Sequence, residues 1–221
     1  MGRSRARRRG FWTVWKRASR ESDFRRPRER TVSSDVLTGA HAQEVVFKNT
    51  VEALFLRGMR SKITERCMER IREAGIDLRY KLQGFYPREM FYRCVAILGE
   101  ELFPWMGADE RMVQLGTTFM EGYEQTLIGK AALQAARFMG VRRTLHRMAE
   151  NYRTSNNYLQ VELKELGPGE VKLTLSQTSG ASGYYEGALR RGLEFVGARG
   201  LVVRREKDDG RQCTFHVTWT S

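Results

Sequence analysis

A chain of 221 residues with 41% hydrophobic side chains and a mean hydropathy of -0.54 has room for one full-sized domain and an appendage, not for two ordinary domains. Its apolar runs are far shorter than the roughly 20 residues needed to cross a bilayer, so no transmembrane segment is expected. The net charge of +13 suggests anionic partners, yet residues 1–30 hold twelve basic side chains against three acidic ones, leaving 27 basic and 23 acidic for the rest of the chain.

The basic segment opens the chain. Arg8-Arg9-Gly10-Phe11 is followed by Trp12-Thr13-Val14-Trp15-Lys16-Arg17, which has no apolar stretch, so export is not expected. Ala6 stands where myristoylation requires Ser or Thr. Three readings stay open. Arg7, Arg8 and Arg9 with Trp12 and Trp15 suit nucleic acid by charge and stacking. The same mixture suits an anionic membrane surface. Third, the segment is an extension without a role, with Val32 or Val36 as alternative starts. Residues 1–43 are expected to form a basic, disordered tail and linker, and residues 44–221 a single α+β domain.

From Glu44 the apolar spacing turns helical. Val46, Phe47, Thr50, Val51, Leu54 and Phe55 share a face up to Gly58. Thr64 is placed to cap a second helix that ends at Ala74, with Gly75 just beyond. Pro87 suits the first turn of a third, striped by Met90, Phe91, Cys94, Val95, Leu98 and Leu102. A fourth runs from Asp109 to at least Ile128. Gly116, Gly122 and Gly129 inside it imply close packing, a break, or a division near Gly129. Ala131–Met139 and Arg142–Tyr152 continue the helical half.

After Asn156 the period changes to two. Val161 and Leu163, then Val171, Leu173 and Leu175, flank Gly167-Pro168-Gly169 as a hairpin. Tyr184–Val196 reads as an amphipathic helix. Leu201-Val202-Val203 and Cys213–Trp219 form a second hairpin around Lys207-Asp208-Asp209-Gly210. The predicted architecture is α+β: about five helices packed on a β-β-α-β-β antiparallel sheet.

Chemistry is sparse. No phosphate-binding loop, nucleophile elbow or zinc-protease motif is present, so no catalytic residue and no enzyme activity is predicted. Cys67, Cys94 and Cys213 lack metal spacing and read as reduced, buried thiols, which fits a cytoplasmic protein; no metal site is predicted. His146, in a helix beside Arg142, Arg143 and Arg147, is the histidine placed to meet a ligand. Tyr123, Tyr158, Tyr184 and Tyr185 are the candidate pocket lining; the last two follow a Gly/Ser-rich loop.

Several runs carry a resemblance: Val45–Phe55, Tyr86-Pro87-Arg88-Glu89, Phe119-Met120-Glu121-Gly122-Tyr123, Arg153–Tyr158 and Thr214–Trp219. Together they resemble a paralogous family expanded in myxobacteria, over about residues 44–219. More distantly, helices followed by β-β-α-β-β are similar to 4-vinyl-reductase-type and haem-nitric-oxide-type ligand-binding domains and to vesicle-tethering subunits. That resemblance implies a small-molecule or lipid cavity between helices and sheet. Its haem-binding members use a helical His with a later Tyr-x-Ser-x-Arg motif. His146 is available, but Leu173-Thr174-Leu175-Ser176-Gln177 does not supply the motif, which argues against haem; no cofactor is predicted. The resulting expectation is a non-enzymatic regulatory domain for a small apolar ligand or lipid. The alternatives are a protein-interaction module, including a homodimer, and an anionic-surface or nucleic-acid binder acting through the tail.

Overall fold

The computed structural model describes residues 43–151 and 155–220, so the readings made for Arg7, Arg8, Arg9, Trp12 and Trp15 lie outside the described residues. Among the described residues the order is helical first and sheet second. A short strand β1 (Val45–Phe47) pairs antiparallel with β2 (Phe85–Pro87), Val46 standing opposite Tyr86. Between them lie α1 (Lys48–Val51), which widens into a π-helical segment (Glu52–Gly58), and α2 (Glu65–Glu73). The Thr64 hydroxyl oxygen accepts from the Cys67 amide at 3.2 Å and so starts α2. Gly75, at φ +116°, ends it, in a conformation that side chains bearing a Cβ avoid.

Helices α3 (Arg88–Leu102) and α4 (Ala108–Gln125) follow, then α5 (Leu127–Met139) and α6 (Val141–Asn151). The run expected to continue to Ile128 divides at Thr126. That residue is extended, at ψ 152°, and its Oγ1 accepts from the Gly129 amide at 2.9 Å, so it caps a new helix instead of prolonging the old one.

The C-terminal half is a four-stranded antiparallel sheet in the order β3-β4-β6-β5, made of β3 (Gln160–Gly167), β4 (Glu170–Ser176), β5 (Arg199–Asp208) and β6 (Gln212–Thr220). Val171, Leu173 and Leu175 on β4 and Cys213, Phe215 and Val217 on β6 are buried, the alternation that a one-sided sheet requires. Helix α7 (Ser182–Val196) joins the two hairpins, and one apolar core unites the helices with this face. Cys67, Cys94 and Cys213 are buried and free of disulfides. No helix of the described residues is long and apolar enough to cross a membrane.

Close backbone contacts on two sides fix α4 in this arrangement. A Cβ on Gly116 would stand 1.9 Å from the Tyr184 carbonyl oxygen, and one on Gly187 would stand 1.9 Å from that of Val113, so the α4 and α7 backbones touch. On its other side, a Cβ on Gly122 would meet the Ala53 carbonyl oxygen at 1.9 Å, against the π-helical segment. Gly116 and Gly122, read as costly inside a helix, permit these approaches together with Gly187, which carries no such signal in the sequence. At the sheet end, Arg205 of β5 reaches Asp109 of α4 and Glu186 of α7.

Candidate functional site

Four phenols meet where α3, α7 and the entry to β3 converge. Tyr92 comes from α3, Tyr184 and Tyr185 from the first turn of α7, and Tyr158 from the segment leading into β3. The Tyr92 and Tyr185 hydroxyls lie 2.6 Å apart, and the Tyr158 hydroxyl donates to that of Tyr92 at 3.5 Å. Tyr184 stands edge-on to Phe91, Tyr92 and Tyr185, with centroids 6.3, 6.3 and 5.8 Å away. It also packs on Phe119 at 5.7 Å, and Phe119 stacks on Tyr123 at 6.0 Å. The Arg88 guanidinium lies over the Tyr158 ring, 4.8 Å from its centroid.

The structure thus brings Tyr123, Tyr158, Tyr184 and Tyr185 into one aromatic cluster. It adds Tyr92, Phe91 and Phe119, which the sequence reading had assigned to helix stripes or passed over. Tyr92 falls one position off the apolar stripe of α3, and only the tertiary fold puts its hydroxyl against Tyr185. Burial pushes the phenols of Tyr92, Tyr158 and Tyr123 above their ordinary range, which keeps them neutral. A neutral buried phenol both donates and accepts, so the cluster can hold a polar atom inside apolar walls.

His146 stands elsewhere. Its side chain is 47% exposed, and Nε2 lies 2.6 Å from Glu165 Oε1 on β3. Arg142 grips the same carboxylate through two bonds of 2.6 Å, and these contacts hold the Glu165 carboxyl down at about 2. The buried position beside His146 is taken by Leu145. His216 points to the outer face of the sheet, with Nε2 2.6 Å from Glu170. Among the described residues no group of three or more His, Cys, Asp or Glu side chains is placed to hold a metal ion. A surface pocket lined by Lys207, Asp208, Asp209, Gln212 and Thr214 lies at the β5–β6 turn.

Solved structures share this fold. An oxygen-binding H-NOX domain related to soluble guanylate cyclases, in its oxygen complex, superposes with a TM-score of 0.59 at 12% identity, covering 79% of this chain and 95% of that one. A structure described through haem redox potential and porphyrin distortion gives 0.58 at 12%, with 79% and 95% covered. An Fe(II) unliganded H-NOX protein from K. algicida gives 0.51 at 11%, with 78% and 95% covered. The described chain therefore has the H-NOX fold.

That finding corrects the expectation that argued against haem. The missing Tyr-x-Ser-x-Arg motif counts against haem on sequence alone, whereas the architecture is one in which haem-carrying domains are built, at identities too low for any single motif to decide. No curated protein sequence matches the chain. A family model matches residues 44–220, nearly all of the helical half and the sheet, and the chain belongs to the family described as Protein of unknown function (DUF2378).

Proposed function

We propose that this chain is a sensory domain that holds a small, largely apolar ligand between its helical half and its sheet, at Tyr92, Tyr158, Tyr184 and Tyr185. The observation that carries the reading is the row of phenol oxygens, Tyr158 to Tyr92 to Tyr185, enclosed by the aromatic core. Buried polar groups are retained at a cost, and a ligand's polar end is what such a row can receive. The rings around it supply apolar walls, and the H-NOX fold supports a sensory role.

Haem belongs to this ligand class, and the residues as placed do not fit its axial position. The imidazole of His146 is engaged at the surface by Glu165, while Leu145 occupies the interior below it. The phenols that do reach the interior are held neutral by burial, and a phenolate is the form that binds iron. Any ligand also has to displace rings that now pack on one another.

The test is native mass spectrometry with absorbance on the full chain, after incubation with hemin and, separately, with oleate. One bound molecule per chain is expected from one of these probes. Tyr92→Phe/Tyr185→Phe should weaken that binding by about tenfold through the lost hydroxyls. A folded chain that retains neither probe, and carries nothing when purified from its own host, would overturn the proposal.

A further inference from the structure

Helix α5 leaves an apolar face uncovered. Leu127 and Phe138 are 90% and 91% exposed, and they lie eleven residues apart, three helical turns along the same side. Ala131 and Gln134 stand between them, and Ile128 is exposed at the edge. Gly129, Leu133 and Ala136 are the residues that face the core. The helix is therefore seated by one side and presents large apolar side chains on the other, the reverse of an ordinary surface helix.

The charge on α5 and the first turns of α6 is basic, with acidic side chains reaching it from Glu124 and Glu165. Residues 126–149 carry five basic side chains, Lys130, Arg137, Arg142, Arg143 and Arg147, and no acidic one. Lys130 and Arg137 flank the stripe on one side. Arg137 is tied to Glu124 and Arg142 to Glu165, but Lys130 and Arg143 are exposed and form no ion pair among the described residues.

We infer that the α5 face, with Lys130 and Arg143, docks the domain on an anionic lipid surface. Charge complementarity sets the sign of the partner. A second copy meeting through this face would lay its cations against their equals, which opposes self-association. Shape chooses between lipid and an acidic protein. Leu127 and Phe138 stand out from a convex helix with only Ala131 and Gln134 between them, a protruding stripe and not the pocket in which a protein partner buries its anchors. A fluid bilayer interface needs no matching relief: protruding apolar side chains enter it while cations meet the headgroups. This inference is independent of the ligand proposal and of the basic residues 1–30.

The experiment is co-sedimentation of the full chain with vesicles, either phosphatidylcholine alone or phosphatidylcholine with about one-third phosphatidylglycerol. The expected result is binding to the anionic vesicles that salt weakens. Leu127→Ser/Phe138→Ser should reduce it about tenfold or more, because the inserted apolar area is lost. Lys130→Glu/Arg143→Glu should remove the preference for phosphatidylglycerol. All four positions are exposed, so circular dichroism and melting temperature are expected to match the parent's. If the variants bind like the parent, the binding belongs to another part of the chain and the inference fails. It fails equally if the parent ignores anionic vesicles, or if the same variants lose binding to polyglutamate and not to vesicles.

Discussion

Arg205 on β5 grips Asp109, in the first turn of α4, through two parallel hydrogen bonds of 2.8 and 3.0 Å. The same guanidinium reaches Glu186 of α7 at 2.9 Å and Asp208 at 3.5 Å. Ser182, at the start of α7, donates to Asp208 and closes the network. The Asp109 bonds lead the causes that raise the Arg205 pKa above the ordinary arginine value. One cation thus ties the sheet to both helices that flank the tyrosine cluster.

Replacing Arg205 by Ala leaves Asp109, Glu186 and Asp208 close together without their common partner. Stability to urea is expected to fall by about 2 kcal/mol. Arg205→Lys should recover only part of this, because an ammonium cannot span two carboxylates as a planar fork does. Equal stability of all three proteins would show that the network contributes nothing.

The glycine contacts predict a sharp contrast. Gly116→Ala and Gly187→Ala each drive a methyl group into a backbone carbonyl, which cannot rotate aside, and each should cost about 2–3 kcal/mol or more. Gly84 has nothing within 4 Å of an added Cβ, so Gly84→Ala should stay within about 0.5 kcal/mol of the parent. Thermal melts of the three variants decide it.

Acid titration isolates Glu165. Its carboxyl is lowered from 4.5 to about 2 by Arg142 first and His146 second. A depressed folded-state pKa contributes stability that is present above about pH 4.5 and is lost as pH falls towards about 2. The melting-temperature gap between the parent and Glu165→Gln should therefore be largest above pH 4.5 and close as pH falls through that window. A gap that does not change with pH would assign the effect to packing.

At the other end of the scale, Tyr92, Tyr123 and Tyr158 have raised pKa values, with burial the first cause. Their contribution is complete below the ordinary phenol value of about 10 and declines as pH rises above it. Alkaline absorbance titration should show these phenols ionising after the exposed ones, or together with unfolding. The 2.6 Å hydroxyl pair makes a second check: Tyr92→Phe and Tyr185→Phe should cost about 1 kcal/mol each, and the double variant less than their sum.

Much of the fold was legible because its signals are local. Thr64 and Gly75 marked the ends of α2, the period-two runs marked β3 to β6, and Pro87 marked the entry to α3. The β1–β2 pair escaped notice because three residues are too few to show a period. A division near Gly129 was one of the readings its glycines allowed, but an apolar spacing that continues past Thr126 left the break unplaced. Four residues of the tyrosine cluster were singled out in the sequence: Tyr123 in a helix, Tyr158 at the start of a period-two run, and Tyr184 and Tyr185 after a Gly/Ser-rich loop. Tyr92 was not, since its role arises from a contact 93 residues away in the chain. His146 was placed correctly on a helix, but its partner, Glu165, lies on a strand whose register only the folded sheet defines. The haem argument failed for a different reason: a short motif was asked to decide what belongs to the whole architecture.

The touching backbones of α4 and α7 also limit how this domain can move. With Gly116 against the Tyr184 carbonyl and Gly187 against that of Val113, neither helix can slide along the other without carbonyls colliding. Any rearrangement of Tyr184 is passed to both helices as to a single lever. Helix α5 is drawn into the same unit, since a Cβ on Gly129 would stand 1.8 Å from the Tyr123 carbonyl oxygen of α4 and Arg137 donates to the Phe195 carbonyl of α7.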